Sequence, residues 1–151
     1  MSIKALCNLD PVTVRPQDEL MAAAQLMRER HVGYLVVVEP SPLGGWDRPL
    51  GVLTDRDLVV EVLAKGIDPD ALTVADVMTA SPVVVEESEP VDHALEEMRR
   101  IGVRRMPVVG SGGQLVGVLS LDAIVAHLAR EMFELSGSVR NELLMERHLR
   151  P

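Results

Sequence analysis

A threonine and an aspartate three residues apart, Thr54 and Asp57, are the side chains of this chain best placed for polar chemistry. They follow the apolar run Leu50-Gly51-Val52-Leu53 and precede Leu58-Val59-Val60, so they fall where a strand hands over to a helix. The unpaired N–H groups of a helix start attract an anion or a capping side chain. Thr-x-x-Asp is also the pattern of a capping box, in which the hydroxyl and the carboxylate each satisfy a backbone N–H. That structural role is complete in itself, and any ligand role is additional to it. The arrangement returns as Gly117-Val118-Leu119-Ser120-Leu121-Asp122-Ala123. Ser120 can cap its helix and Asp122 can favour the helix dipole, but Ala123 stands where the first copy has Asp57. A carboxylate can accept both hydroxyls of a vicinal diol; an alanine accepts neither.

The remaining polar candidates are cations. Arg56 lies inside the first motif, and Arg104-Arg105 lead into the apolar run at Met106. Guanidinium forks match phosphate oxygens, while salt bridging to the abundant acidic residues explains the same arginines equally well. Glu86-Glu87 and Glu96-Glu97 read as a solvated acidic face. His31, His93, His127 and His148 lack the spacing of a metal site, and no nucleophile elbow, phosphate-cradling glycine loop or His-Glu-x-x-His is present. The eight methionines fall at helical spacing and read as core filling. Cys7 reads as a small buried hydrophobe. No catalytic residue, metal ligand or required cofactor is assigned, and a non-enzyme is expected.

Positioning these side chains requires a repeated scaffold. A shift of 71 residues lays Pro11-Val12-Thr13-Val14 on Pro82-Val83-Val84-Val85, Met27-Arg28 on Met98-Arg99, and Val37-Val38 on Val108-Val109. The leading segments agree too, with Ile3, Leu6 and Cys7 over Val74, Val77 and Met78. A longer loop after Val38 reduces the shift to 66, at which the two Gly-Val-Leu segments coincide. Each half reads as a short leading helix, then strand, helix, strand, strand, helix. The second leading helix carries its own capping box, Thr73 to Asp76. Val12–Val14 and Val83–Val85 read as short strands, Tyr34–Val38 and Met106–Val109 as strands buried on both faces. Leu20, Ala23, Ala24 and Met27, like Val91, Ala94, Leu95 and Met98, recur at helical spacing. Pro90 suits a first helical turn. Residues 39–49 form a surface loop, and Gly110 to Gly113 a tight hairpin turn. Halves this small bury little alone, so a pseudo-twofold pair sharing one core is expected: residues 1–68, residues 69–129 with a linker near 66–70, and a C-terminal helical extension over 130–151. In the extension Leu128, Met132, Leu135, Val139 and Leu143 make an amphipathic stripe, weakened at Gly137.

Composition narrows the partners. The chain is 47% apolar but only 2% aromatic, and its formal charge of −8 speaks against nucleic acid or an anionic membrane surface. No apolar run approaches the roughly 20 residues of a membrane span. A lone cysteine and the lack of a signal-peptide stretch at the N-terminus fit a reducing cytoplasm.

This α/β order, with Gly-apolar-apolar-Thr/Ser at the last strand-to-helix turn, resembles the CBS domain pair, the cystathionine β-synthase-type tandem repeat of β-α-β-β-α units. The resemblance covers the chain to about Ala129 and rests on Gly51 to Asp57, on Arg104 to Val109, and on Met78-Thr79-Ala80-Ser81-Pro82-Val83. The run Leu53 to Asp70 also resembles the small stand-alone two-CBS proteins of bacteria. The resemblance implies a clefted pair, two of which commonly assemble into a disc, and a sensor or regulator that binds an adenosine-containing ligand such as AMP, ADP or ATP and signals to a separate protein partner. By the same resemblance Asp57 holds the ribose, Thr54 with Arg56, Arg104 or Arg105 holds phosphate, and the backbone around Thr13 and Tyr34 faces the base. Ser120 and Asp122 belong to a second cleft that has lost its diol clamp. The expected assembly is a homodimer. The alternatives are a ligand-free dimeric interaction module and S-adenosylmethionine binding; clustered arginines and scarce aromatics favour a phosphate over a sulfonium.

Overall fold

The apolar runs become the strands, and hydroxyls or prolines at their ends release the chain into helices. The computed structural model describes residues 1–149. The first repeat runs through α1 (Ile3–Leu6), β1 (Thr13–Val14), α2 (Leu20–Arg30), β2 (Tyr34–Pro40), β3 (Asp47–Thr54) and α3 (Asp55–Asp57). The second runs through α4 (Val74–Val77), β4 (Thr79–Ala80), β5 (Val85–Glu86), α5 (Val91–Ile101), β6 (Arg105–Val109), β7 (Leu115–Ser120) and α6 (Leu121–Leu149). One sheet has the order β1-β2-β3-β4, the other β5-β6-β7. Both central hairpins share a register: Tyr34 lies opposite Thr54, and Arg105 opposite Ser120.

The repeats do not pool a single core. Leu20, Ala23, Met27, Leu35, Val37 and Leu53 form one buried cluster, and Val85, Ala94, Met98, Met106, Val108 and Leu119 another. Each fully buried aliphatic side chain contributes about 1.5–3 kcal/mol. The leading helices are exchanged between these clusters. Ile3 of α1, fully buried, packs into the second repeat's core, and Val74 of α4 packs into the first's. Backbone bonds fix the exchange: Asn8 N–H donates to Val118 O at 2.9 Å and Val118 N–H donates back at 3.0 Å, while Val74 N–H donates to Asp18 O at 2.9 Å. β4, which follows α4, pairs with β3 of the first repeat. The glycines at the two strand centres are there for this crossing. A Cβ on Gly117 would lie 2.2 Å from Asn8 O, and one on Gly51 2.7 Å from Met78 Sδ and 2.9 Å from Thr79 O.

Several elements differ from the sequence expectation. β5 starts at Val85, which leaves Val83 and Val84 of the expected strand outside the sheet. Pro90 is the N-cap of α5 rather than part of its first turn. After α3 the chain winds as a π-helix over Leu58–Leu63, with Ala64 N–H donating to Val59 O; β-branched residues in sequence give no signal for that winding. The expected C-terminal extension is not a separate helix. It continues α6 of the second repeat without a break at Gly137, since one glycine costs a helix only about 1 kcal/mol. Positions 150 and 151 of that expected extension lie outside the described residues. No helix among the described residues is long and apolar enough to cross a membrane.

Candidate functional site

Thr54 ends β3 and is the N-cap of α3. Its Oγ1 accepts from Asp57 N–H at 3.1 Å, and Asp57 Oδ2 accepts from Thr54 N–H at 2.9 Å, the reciprocal capping box read from the sequence. The box holds the Asp57 carboxylate in one orientation and engages only Oδ2, so Oδ1 remains an acceptor. Asp55 N–H donates to Gly33 O at 3.0 Å, and Asp55 Oδ1 accepts from Arg56 N–H at 2.8 Å. The start of α3 is thereby tied to the residue just before β2.

Around this turn opens a cleft of about 610 Å3. Six of the residues singled out in the sequence meet on it: Tyr34, Thr54, Arg56, Asp57, Arg104 and Arg105. Three guanidiniums and two carboxylates share its wall, and Val52, Val83 and Val103 supply apolar surface. Arg104 is exposed and donates to Asp122 Oδ1 at 2.8 Å. Arg56 and Arg105 make no ion pair among the described residues. The Arg105 guanidinium lies over the Tyr34 ring, 5.9 Å from its centroid. Burial pushes the Tyr34 phenol well above its ordinary pKa, and the nearby Arg105 charge opposes that rise in part.

A smaller cleft of about 230 Å3 lies beside it, lined among others by Pro11, Val12, His31, Tyr34, Arg105 and Ser120. These positions are the repeat-equivalents of the larger cleft's walls. Here Ser120 Oγ accepts from Ala123 N–H at 3.1 Å, so half of a capping box survives. The smaller cleft contains no carboxylate, and Arg105 is its only arginine or lysine.

Two sequence-predicted residues line neither cleft. Thr13 sits in β1 opposite Val36, and the segment facing Thr54 and Asp57 is Ser81-Pro82-Val83 of the second repeat. Asp122 lies outside both linings and is engaged with Arg104. Sequence reasoning missed Ser81, Pro82 and Val83 because it placed the first strand of each repeat over its own cleft. It also missed Asp55, which lies inside the very motif it used. Ser81 holds a left-handed backbone, φ 51°, unusual for a residue with a side chain. The signal for the missed segment was present: Pro82-Val83 repeats Pro11-Val12, and one of the two had to face each cleft. Among the described residues, no group of three or more His, Cys, Asp or Glu is arranged to hold a metal ion.

Comparison with known proteins gives a consistent picture. The CBS domain family matches residues 3–64 and 74–130. Hypoxic response protein 1 of Mycobacterium tuberculosis is 36% identical over 123 residues, 82% of this chain and 82% of that relative. The crystal structure of Hypoxic Response Protein I with two coordinated zinc ions superposes with a TM-score of 0.72 at 31% identity, the match covering 84% of this chain and 98% of that one. An uncharacterized protein of Methanopyrus kandleri is 32% identical over 125 residues, 83% of this chain; the chain spans 61% of that relative's length. The CBS domain pair of protein MJ0100, solved in complex with 5'-methylthioadenosine and S-adenosyl-L-methionine, superposes with a TM-score of 0.73, covering 87% of this chain and 98% of that one. At 23% identity that likeness is one of fold.

Proposed function

Because the chain belongs to the CBS domain family, we propose that it is a regulatory pair that binds an adenine nucleotide in the larger cleft and signals to a separate protein. The observation that carries this reading is the convergence of Asp57, Thr54, Arg56, Arg104 and Arg105 on one cleft of about 610 Å3. That volume lies within the roughly 300–1,000 Å3 of small-molecule sites. The Asp57 carboxylate suits two ribose hydroxyls, the guanidiniums suit phosphate, and the apolar wall with Tyr34 suits a base. Native mass spectrometry of freshly purified protein, followed by titration with AMP, ATP and S-adenosylmethionine, tests it. AMP or ATP is expected to bind at about one per chain. Preference for S-adenosylmethionine would replace the phosphate reading, and no binding of any of these would remove the nucleotide.

A second reading concerns assembly and rests on α6. Residues 128–149 are exposed on every side, including Leu128, Met132, Leu135, Val139 and Leu143 on one stripe. At 1.5 Å per residue this segment extends about 33 Å, and a lone helix with an open apolar stripe is a poor structure in water. The occupant proposed is a second copy of the chain. Arg130, Arg140 and Arg147 nearly balance Glu131, Glu134, Glu142 and Glu146, whereas residues 1–127 carry 11 basic against 19 acidic residues, a charge of −8. Two α6 helices thus meet with little repulsion while the acidic bodies stay apart. Light scattering should give twice the chain mass, and truncation after Arg130 should shift it toward monomer. A monomeric intact chain would refute the pairing, and a truncated chain that remains dimeric would refute α6 as its site.

A further inference from the structure

Both clefts share two residues that the duplication made different. Tyr34 and Arg105 occupy equivalent positions, 71 apart, and each lines both clefts. They meet between the clefts, the guanidinium lying over the ring at 5.9 Å. The larger cleft has Arg56 and Arg104 besides Arg105. The smaller cleft has no other arginine or lysine. At the position equivalent to Arg104 the smaller cleft has Gly33, which brings no charge.

We infer that Arg105 is a shared specificity residue that lets the pair hold one anionic ligand at a time, with the larger cleft taking precedence. This rests on the nucleotide reading for the identity of the ligand, but the shared cation stands on geometry alone. A phosphate group in the larger cleft draws the guanidinium away from the Tyr34 ring and toward Arg56 and Arg104. The smaller cleft then loses its only arginine and rejects a second anion. An uncharged ligand makes no such demand, so adenosine leaves Arg105 over Tyr34.

The single tyrosine of the chain provides the readout. Protein labelled with 3-fluorotyrosine gives one fluorine resonance, to be followed while AMP, adenosine or inorganic phosphate is added, alongside calorimetry. AMP should saturate at one per chain and shift the resonance further than adenosine does, because the base lies near Tyr34 in both cases and only AMP draws Arg105 away. In Arg105→Ala the preference for AMP over adenosine should fall at least tenfold and the AMP-induced shift should fall to that of adenosine. Arg105→Lys, which keeps the charge but not the planar fork, should retain part of the preference. Arg105 is exposed at the start of β6, so these variants should fold. If AMP fails to bind but inorganic phosphate moves the resonance of the parent and not of Arg105→Ala, the nucleotide reading falls and the shared cation remains. Two AMP molecules bound with equal affinity, an AMP-induced shift no larger than that of adenosine, or no response to either anion overturns the inference.

Discussion

The two clefts are built from equivalent residues of two repeats, yet only the larger has carboxylates and more than one guanidinium on its wall. Thr54 corresponds to Ser120, and both hydroxyls accept from a backbone N–H three residues on, at the same 3.1 Å. Gly51 corresponds to Gly117, and both are pressed by a crossing segment. What differs is Asp57 against Ala123, Arg104 against Gly33, and Arg105 against Tyr34. Features that the fold needs in both places are kept in both; under the proposed nucleotide reading, features that only a ligand needs are concentrated in one. Asp57 is the informative case because it serves both ends. Its replacement by alanine in the second repeat leaves half a capping box, a loss of about 0.5–2 kcal/mol by the usual value of a cap. α6 sustains that loss with 29 residues of helix, whereas α3 has three before the winding changes.

The contrast can be broken most severely at Asp57. Charge-assisted hydrogen bonds to two ribose hydroxyls are worth about 1.5–3 kcal/mol each, so Asp57→Ala should weaken AMP by about tenfold or more. Calorimetry measures this, with thermal unfolding run in parallel because half a cap is lost as well. Ala123→Asp makes the converse change and should strengthen the smaller cleft toward adenosine; equal sites in the parent chain would end the contrast. The next effect is on stability. Gly117→Ala drives a Cβ into the backbone oxygen of Asn8, whereas Gly51→Ala first meets the movable end of Met78. Overpacking of this kind costs about 1–3 kcal/mol, and Gly117→Ala should lie above Gly51→Ala in denaturant titrations. The smallest effect concerns Tyr34. Its phenol is raised by burial, so its contribution to stability is fully present below the ordinary tyrosine value of about 10 and is lost as pH rises through the higher folded value. Ultraviolet titration of this sole tyrosine should give a midpoint above 10. Arg105→Ala, which removes the opposing charge, should move it higher still, and Tyr34→Phe should flatten the alkaline loss of stability.

Much of this could be read from residue order. The shift of 71 and the glycine-hydroxyl turn located both repeats, and residue type located the capping boxes. The exchange of leading helices could not be read, because Ile3 and Val74 fit either core equally well: the two repeats present nearly the same apolar pocket to them. The misplacement of Thr13 has the same origin. In a duplicated chain, pattern says which residues are equivalent but not which copy contributes to which cleft. The π-helix after Asp57 and the uninterrupted α6 are set by contacts and by helix cooperativity, to which single residues such as Gly137 contribute too little to decide the outcome.

The crossing of the leading segments also sets the order of events when the chain is made. The first repeat leaves the ribosome with α1 belonging to a core not yet synthesised and with a gap that only Val74 fills. Its sheet lacks β4 until residue 80 has emerged, and Asn8 has no partner until Val118 follows. These contacts join residues far apart in sequence, so loop closure precedes any reward from them. The pair should therefore fold in one cooperative step late in synthesis, and a lone first repeat should expose its core to solvent and to proteases.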